Sequence, residues 1–130
     1  MRGKPLDINT LINKINNVDH RASVTYTDKT TGETRRHYRR AMDKGWMDLW
    51  RREWRYLWQE LNAYLETNPD DKHAANIVRK LACRGSWYNE KGNLCVVYSN
   101  KLYLSKAEMP WLVEWVKQQA MNGIEQEYFD

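Results

Sequence analysis

The amino-acid sequence predicts one compact α+β domain spanning residues 1–130, with about four helices, an N-terminal β-hairpin and a C-terminal three-stranded antiparallel meander. Three observations predict this fold class. Some stretches carry apolar residues at helical spacing, others alternate as strands do, and 130 residues is a common length for a domain with one core. Residues 1–5 and 125–130 lie outside these patterns, and we expect them to be frayed tails.

The first predicted helix covers residues 7–18. Leu11, Ile15 and Val18 follow helical spacing, and the carboxylate of Asp7 is well suited to cap the free backbone N–H groups of the first turn.

A hairpin is predicted over residues 23–39, with a type I turn at Thr30 and Thr31 and a left-handed Gly32. This turn would pair Lys29 with Glu33, Tyr26 with Arg36, and Val24 with Tyr38. Side chains alternate between the faces of a strand, so Val24, Tyr26 and Tyr38 would face the core. The outward face would then carry Thr25, Thr27, Arg35, His37 and Arg39.

The strongest helical pattern runs over residues 46–66. Trp46, Trp50, Trp54 and Trp58 recur every four residues, on the same face as Leu57, Leu61 and Tyr64. This pattern favours a buried core stripe over an exposed stacking platform. The opposite face would show Arg51, Arg52 and Arg55, and Asn68 with Pro69 would end the helix.

The rest of the chain predicts a helix, a meander and a final helix. Pro69, Asp70 and Asp71 suit a first helical turn, and Gly85 suits a helix end. Residues 86–104 are predicted to form three strands, with turns at 90–93 and near Ser99 and Asn100. Ser105 and Glu108 form a potential capping box for a helix that reaches 122–123.

Positive charge is concentrated in the first half of the chain. Residues 21–55 contain ten Lys and Arg against five Asp and Glu, whereas the whole protein carries a net charge of +4. Such asymmetry indicates an anionic partner, most commonly nucleic acid, with a membrane surface or an acidic protein as the alternatives.

The sequence Arg-Arg-His-Tyr-Arg-Arg at 35–40 is the most informative feature of this basic half. Guanidinium groups bind phosphates bidentately and stack on bases, and neighbouring aromatic rings can stack as well. The alternative is an ordinary solvated surface with weak salt bridges. The candidate binding residues are Lys29, Arg35, Arg36, His37, Arg39, Arg40, Arg51, Arg52 and Arg55, with Tyr56 and Trp111 as candidate interface anchors.

Catalysis has little support in the sequence. His20, His37 and His73 show no metal-binding spacing, and no glycine-rich phosphate loop is present. We therefore expect no cofactor, no metal and no enzymatic activity, with a small metal-dependent nuclease built on His37 as a minor alternative. Cys83 and Cys95 are expected to be reduced packing residues in a cytoplasmic protein without membrane segments.

These observations favour a non-enzymatic protein that binds nucleic acid or a nucleoprotein complex through the arginine-rich hairpin. None of the common nucleic-acid-binding modules is found. Small basic proteins of this kind are often encoded by phages or other mobile elements. The alternative is therefore an inhibitor that blocks a host protein machine through the same arginines.

Overall fold

The structure is a computed structural model that describes residues 5–40, 44–83, 86–88, 90–92, 94–96 and 101–121; 83, 86–88 and 94–96 are described by their backbone alone. These ranges form four helices and six short strands, which confirms the α+β class. The helices are α1 (Ile8–Asn16), α2 (Arg51–Thr67), α3 (Lys72–Cys83) and α4 (Glu108–Ala120). The strands are β1 (Ser23–Thr27), β2 (Thr34–Tyr38), β3 (Trp46–Asp48), β4 (Ser86–Tyr88), β5 (Leu94–Val96) and β6 (Lys101–Tyr103).

The hydrophobic core forms where α1 packs against α4 and α2 packs against α3. All four helices supply fully buried side chains, and β6 with the residue after it adds two more. The largest apolar ones are Leu11, Ile15, Tyr56, Leu57, Leu61, Ile77, Leu81, Leu102, Leu104, Leu112 and Val116. Burying each Leu or Ile contributes about 1.5 to 3 kcal/mol, so helix packing dominates the stability.

Side chains cap the N-terminal ends of three helices, α1, α3 and α4. Asp7 accepts hydrogen bonds from the N–H groups of Asn9 and Thr10, as predicted for α1. Asp71 accepts from the N–H groups of His73 and Ala74, so residues 69–71 precede α3 and do not form its first turn. At α4, Ser105 and Glu108 exchange two hydrogen bonds, which confirms the capping box.

The predicted helix over 46–66 is wrong at its start. Residues 46–48 form β3, which pairs antiparallel with β6 and places Trp46 opposite Tyr103. Helical spacing continued through this segment, but the ladder with residues 101–103 satisfies its backbone hydrogen bonds instead. Trp50 is consequently the residue before α2 and is 46% exposed, so it does not belong to the buried stripe.

The predicted three-stranded meander is not supported. β4 pairs with β5 as expected, but β6 pairs with β3, so each of the described sheets has two strands. The partner of a strand is the free strand edge that lies next to it in the fold, and β3 is far from β6 in sequence. Local alternation of apolar and polar residues therefore could not predict that β6 pairs with β3.

Several predictions concern residues outside the described ranges. These are the helix end at Gly85, the turn at Ser99 and Asn100, the helix end at 122–123, and the tails at 1–4 and 125–130. The side chains of Cys83 and Cys95 also lie outside the description. Among the described helices, none has both the length and the apolar composition needed to cross a bilayer.

Candidate functional site

Asp28 organises the turn of the hairpin, whose loop is one residue longer than predicted. The Asp28 carboxylate accepts hydrogen bonds from the N–H groups of Thr30 and Thr31, and its carbonyl accepts from the N–H of Gly32. Gly32 has the predicted left-handed conformation, with φ of 73°. Because Asp28 pairs with Glu33, the loop contains four residues instead of three.

This longer loop shifts the register of the hairpin by one residue. Tyr26 lies opposite Arg35, Val24 opposite His37, and Ser23 opposite Tyr38. The predicted register was therefore wrong, because the sequence pattern did not account for the Asp28 side chain drawing one more residue into the turn.

The observed register divides the arginine tract between the two faces of the hairpin. By alternation, one face carries Val24, Tyr26, Arg35 and His37, and the other carries Thr25, Arg36 and Tyr38. Each face therefore presents one tyrosine and one arginine, and no face is purely apolar or purely basic.

Both faces of the hairpin are accessible. Every residue of β2 is exposed, and β1 becomes exposed from Thr25 onward. Tyr38 is 69% exposed and Tyr26 is 50% exposed, so neither tyrosine is the core residue that we predicted. Apart from each other, β1 and β2 make only sparse contacts with the other described elements. The hairpin therefore projects from the core.

The base of the hairpin is held by Asp19, which was not among the predicted site residues. Its carboxylate binds Arg21, with the shortest distance of 2.7 Å to Nη2, and lies 3.3 Å from Nη2 of Arg39. The hydrogen bonds from Arg21, helped by the charge of Arg39, hold the pKa of Asp19 well below its ordinary value. A signal was available: Asp19 also accepts from the N–H two residues later, the same pattern as Asp28.

An open groove lies beside this base. It is lined by residues 16–21 and by Lys106, Met109 and Pro110, of which Lys106 is exposed.

The structure separates the hairpin residues of the candidate site into two groups. Lys29, Arg36, His37 and Arg40 are exposed, and Arg35 is exposed with Glu33 3.5 Å away. Arg39 is half-buried against Asp19, so it anchors the hairpin and is not part of the outward set that we predicted.

The arginines of α2 do not form one exposed row. Arg51 and Arg55 are exposed, but Arg52 is buried, with its guanidinium 4.1 Å from the centre of the Trp50 ring. Arg52 is therefore removed from the candidate surface. α2 packs along α3, whereas the hairpin is held at its base by the ion pair between Arg39 and Asp19. The exposed arginines of α2 and the exposed cations of the hairpin are therefore considered separately.

Neither predicted anchor is a free aromatic side chain. Tyr56 is fully buried and is excluded as an interface anchor. Its position on the buried face follows from the phase of α2, whose buried side is centred on Glu53, Leu57 and Leu61. Trp111 is half-buried and stacks on Trp115, with the ring centroids 6.4 Å apart.

Trp50 is a further exposed aromatic residue, besides Tyr26 and Tyr38, that was predicted to lie in the core. The Nζ of Lys14 lies 3.7 Å from the centre of its ring and 2.6 Å from Oε1 of the buried Glu53. Glu53 also accepts a hydrogen bond from the backbone N–H of Trp50. These contacts give Trp50 a structural role at the start of α2.

In the described part of the chain, no group of three or more His, Cys, Asp or Glu side chains is arranged to hold a metal ion. Comparison of the chain with models of protein families, with curated proteins and with solved structures found no match in any of the three.

Proposed function

We propose that this chain is a non-enzymatic binding protein whose hairpin captures nucleic acid by its phosphate groups. The observation that carries the proposal is the exposure of β2 along its whole length and on both faces, with Arg35 and Arg36 on opposite sides. A ribbon of this kind can meet a phosphate backbone from either side.

The charges on the hairpin suit this ligand. The hairpin carries four exposed cations, Lys29, Arg35, Arg36 and Arg40, against two carboxylates, Glu33 and the turn-forming Asp28. Guanidinium groups match the geometry of phosphate oxygens and remain charged at every physiological pH. With at most four phosphates neutralised, the log–log dependence of affinity on salt should have a slope no steeper than about −3 to −4.

Stability does not explain these arginines. Exposed ion pairs contribute about 0 to 1 kcal/mol, and the side chains of β2 bury little surface. Two exposed strands of mixed cationic and aromatic residues add little to the fold, which supports a role in binding.

The alternative is an inhibitor that uses the same surface against an acidic region of a host protein machine. Binding to a protein surface would involve the same cations, so the test must separate the two ligands directly.

The test measures the fluorescence anisotropy of a labelled oligonucleotide of about 20 nucleotides, longer than the roughly 4 to 16 nucleotides that one small binding fold covers. Titrations with the full chain at several salt concentrations should show affinity falling linearly with log salt. Arg35→Glu with Arg36→Glu should abolish most of the binding.

Lys72→Glu with Arg79→Glu is the matched control, because it makes the same change in net charge at two exposed residues of α3. This control should retain most of the affinity. Equal losses in the two double variants would show attraction by net charge alone and would reject the hairpin as the site. Absence of binding to DNA and RNA at low salt would reject the proposal itself.

A further inference from the structure

We infer that the hairpin takes an unpaired strand of nucleic acid, with bases stacked on Tyr26 and Tyr38 on its two opposite faces. This inference rests on the proposed function and specifies its ligand. The juxtaposition that carries it is an exposed tyrosine beside an exposed arginine, repeated once on each side of a two-stranded ribbon.

The rings of Tyr26 and Tyr38 are both accessible to a ligand. Tyr26 and Tyr38 are half or more exposed, although each is large enough to bury 150 to 250 Å² in a core or an interface. No aromatic pair within the described residues involves either ring. Both rings therefore have surface available to a flat ligand.

Each of the two tyrosines has an arginine beside it on the same face of the hairpin. Tyr26 lies directly opposite Arg35, at the short cross-strand spacing of about 4.5 to 5.5 Å between Cβ atoms. Tyr38 follows Arg36 by two residues and shares its face. A nucleotide whose base stacks on either tyrosine thus has a guanidinium near the position of its phosphate.

Bases are accessible to an aromatic side chain in an unpaired strand and not in an intact duplex. In a duplex the faces of the bases are stacked on one another, so an aromatic side chain reaches them only after unstacking. In an unpaired strand the faces are open, and base–aromatic stacking supplies affinity without selecting a sequence. Exposed rings beside cations favour the unpaired strand.

The competing arrangement is entry of the ribbon into the major groove of a duplex, which is wide enough for two strands. In that arrangement the tyrosine hydroxyls would donate to phosphates or base edges, and the ring faces would contribute little. Replacing Tyr26 or Tyr38 by Phe distinguishes base stacking from entry into the groove, because Phe keeps the ring and removes the hydroxyl.

The experiment compares one oligonucleotide as a single strand and as a duplex, at constant salt, against the full chain. We expect tighter binding to the single strand. Tyr26→Ala and Tyr38→Ala should each weaken that binding roughly 5- to 150-fold, whereas Tyr26→Phe and Tyr38→Phe should stay within about threefold. Thr27→Ala, a change at another exposed hairpin position, serves as the control and should have little effect. Backbone amide NMR spectra of each variant check that the hairpin is retained.

Each outcome decides the inference. Equal or tighter binding to the duplex, or a loss on Tyr→Phe as large as that on Tyr→Ala, would overturn it. Unchanged binding in the alanine variants would also overturn it, yet the proposed function would stand if Arg35→Glu with Arg36→Glu still abolished binding. Absence of binding to either form would reject both the inference and the proposed function. If a Tyr→Ala variant loses the hairpin, Tyr→Ile replaces it, because Ile removes the aromatic ring and keeps a high strand propensity.

Discussion

Asp19 and Arg39 are joined across the base of the hairpin, with 3.3 Å between Oδ2 of the carboxylate and Nη2 of the guanidinium. Asp19 precedes β1 and Arg39 follows β2, so the ion pair ties the end of the hairpin to the segment that leads into it. The carbonyl of Asp19 also accepts a hydrogen bond from the N–H of Gly45, just before β3. One residue therefore connects the projecting hairpin to the sheet beside the core.

Replacing Asp19 by Asn should destabilise the protein in a pH-dependent way. The folded-state pKa of Asp19 lies far below its ordinary value of 3.8, because Arg21 donates to its carboxylate. The stabilisation is therefore complete above about pH 4 and declines as the pH falls through that value toward the folded-state pKa. Denaturant unfolding of the native protein and of Asp19→Asn, from about pH 6 downward, measures the difference in their free energies of unfolding. This difference should be constant down to about pH 4 and should shrink at lower pH.

Asp70→Asn is the control for this titration, since Asp70 is exposed. The control should match the native protein throughout. A difference for Asp19→Asn that persists unchanged to the lowest pH would contradict the assignment.

Replacing Gly45 by Ala should be more costly than replacing Gly32 by Ala. Both glycines have positive φ, 79° and 73°, so both substitutions strain the backbone by about 1 to 2 kcal/mol. A Cβ at Gly45 would also lie 2.6 Å from the ring of Tyr103 and 2.7 Å from that of His20, whereas a Cβ at Gly32 meets nothing. Overpacking adds about 1 to 3 kcal/mol.

We therefore expect the free energy of unfolding to fall by about 1 to 2 kcal/mol for Gly32→Ala and by about 2 to 5 kcal/mol for Gly45→Ala. Chemical denaturation of the two variants measures both values. Equal losses would mean that His20 and Tyr103 move aside without cost.

Replacing Lys14 by Met should destabilise the protein by about 1 to 3 kcal/mol, because it leaves the buried carboxylate of Glu53 without its cation. Lys117→Met removes a cation from an exposed pair with Glu114 at 3.7 Å, and should cost at most about 0.5 kcal/mol. Thermal and denaturant unfolding of the two variants compare the pairs directly. Similar losses at both positions would show that burial of Glu53 does not strengthen its pair with Lys14.

The sequence alone determined the elements whose signals are local. Asp7 and the Ser105–Glu108 box mark helix starts because their side chains bond backbone groups two or three residues away. The left-handed Gly32 is equally local. The register of the hairpin also depends on a local signal, the Asp28 side chain, which binds the backbone of the turn. The predicted register rested on the alternation of strand residues and did not include this side chain.

For the candidate site, the sequence identified the basic tract and left its geometry undecided. Which arginines are exposed follows from the hairpin register, from the phase of α2, and from Asp19 drawing Arg39 inward. Strand alternation and helical periodicity show which residues share a face of a strand or helix. They do not show which of its faces meets the core.

Only the tertiary structure decided the positions of Trp46, Trp50 and Tyr56. The ladder between β3 and β6 takes Trp46 out of the predicted helix, because hydrogen bonds to residues more than fifty positions away in sequence replace the helical ones. That change moves the start of α2 and leaves Trp50 exposed. Tyr56 is buried because the side of α2 that meets the core is centred on Glu53, Leu57 and Leu61. Local sequence patterns determined which segments form helices and strands, whereas long-range pairing decided where they begin and which side chains remain available for binding.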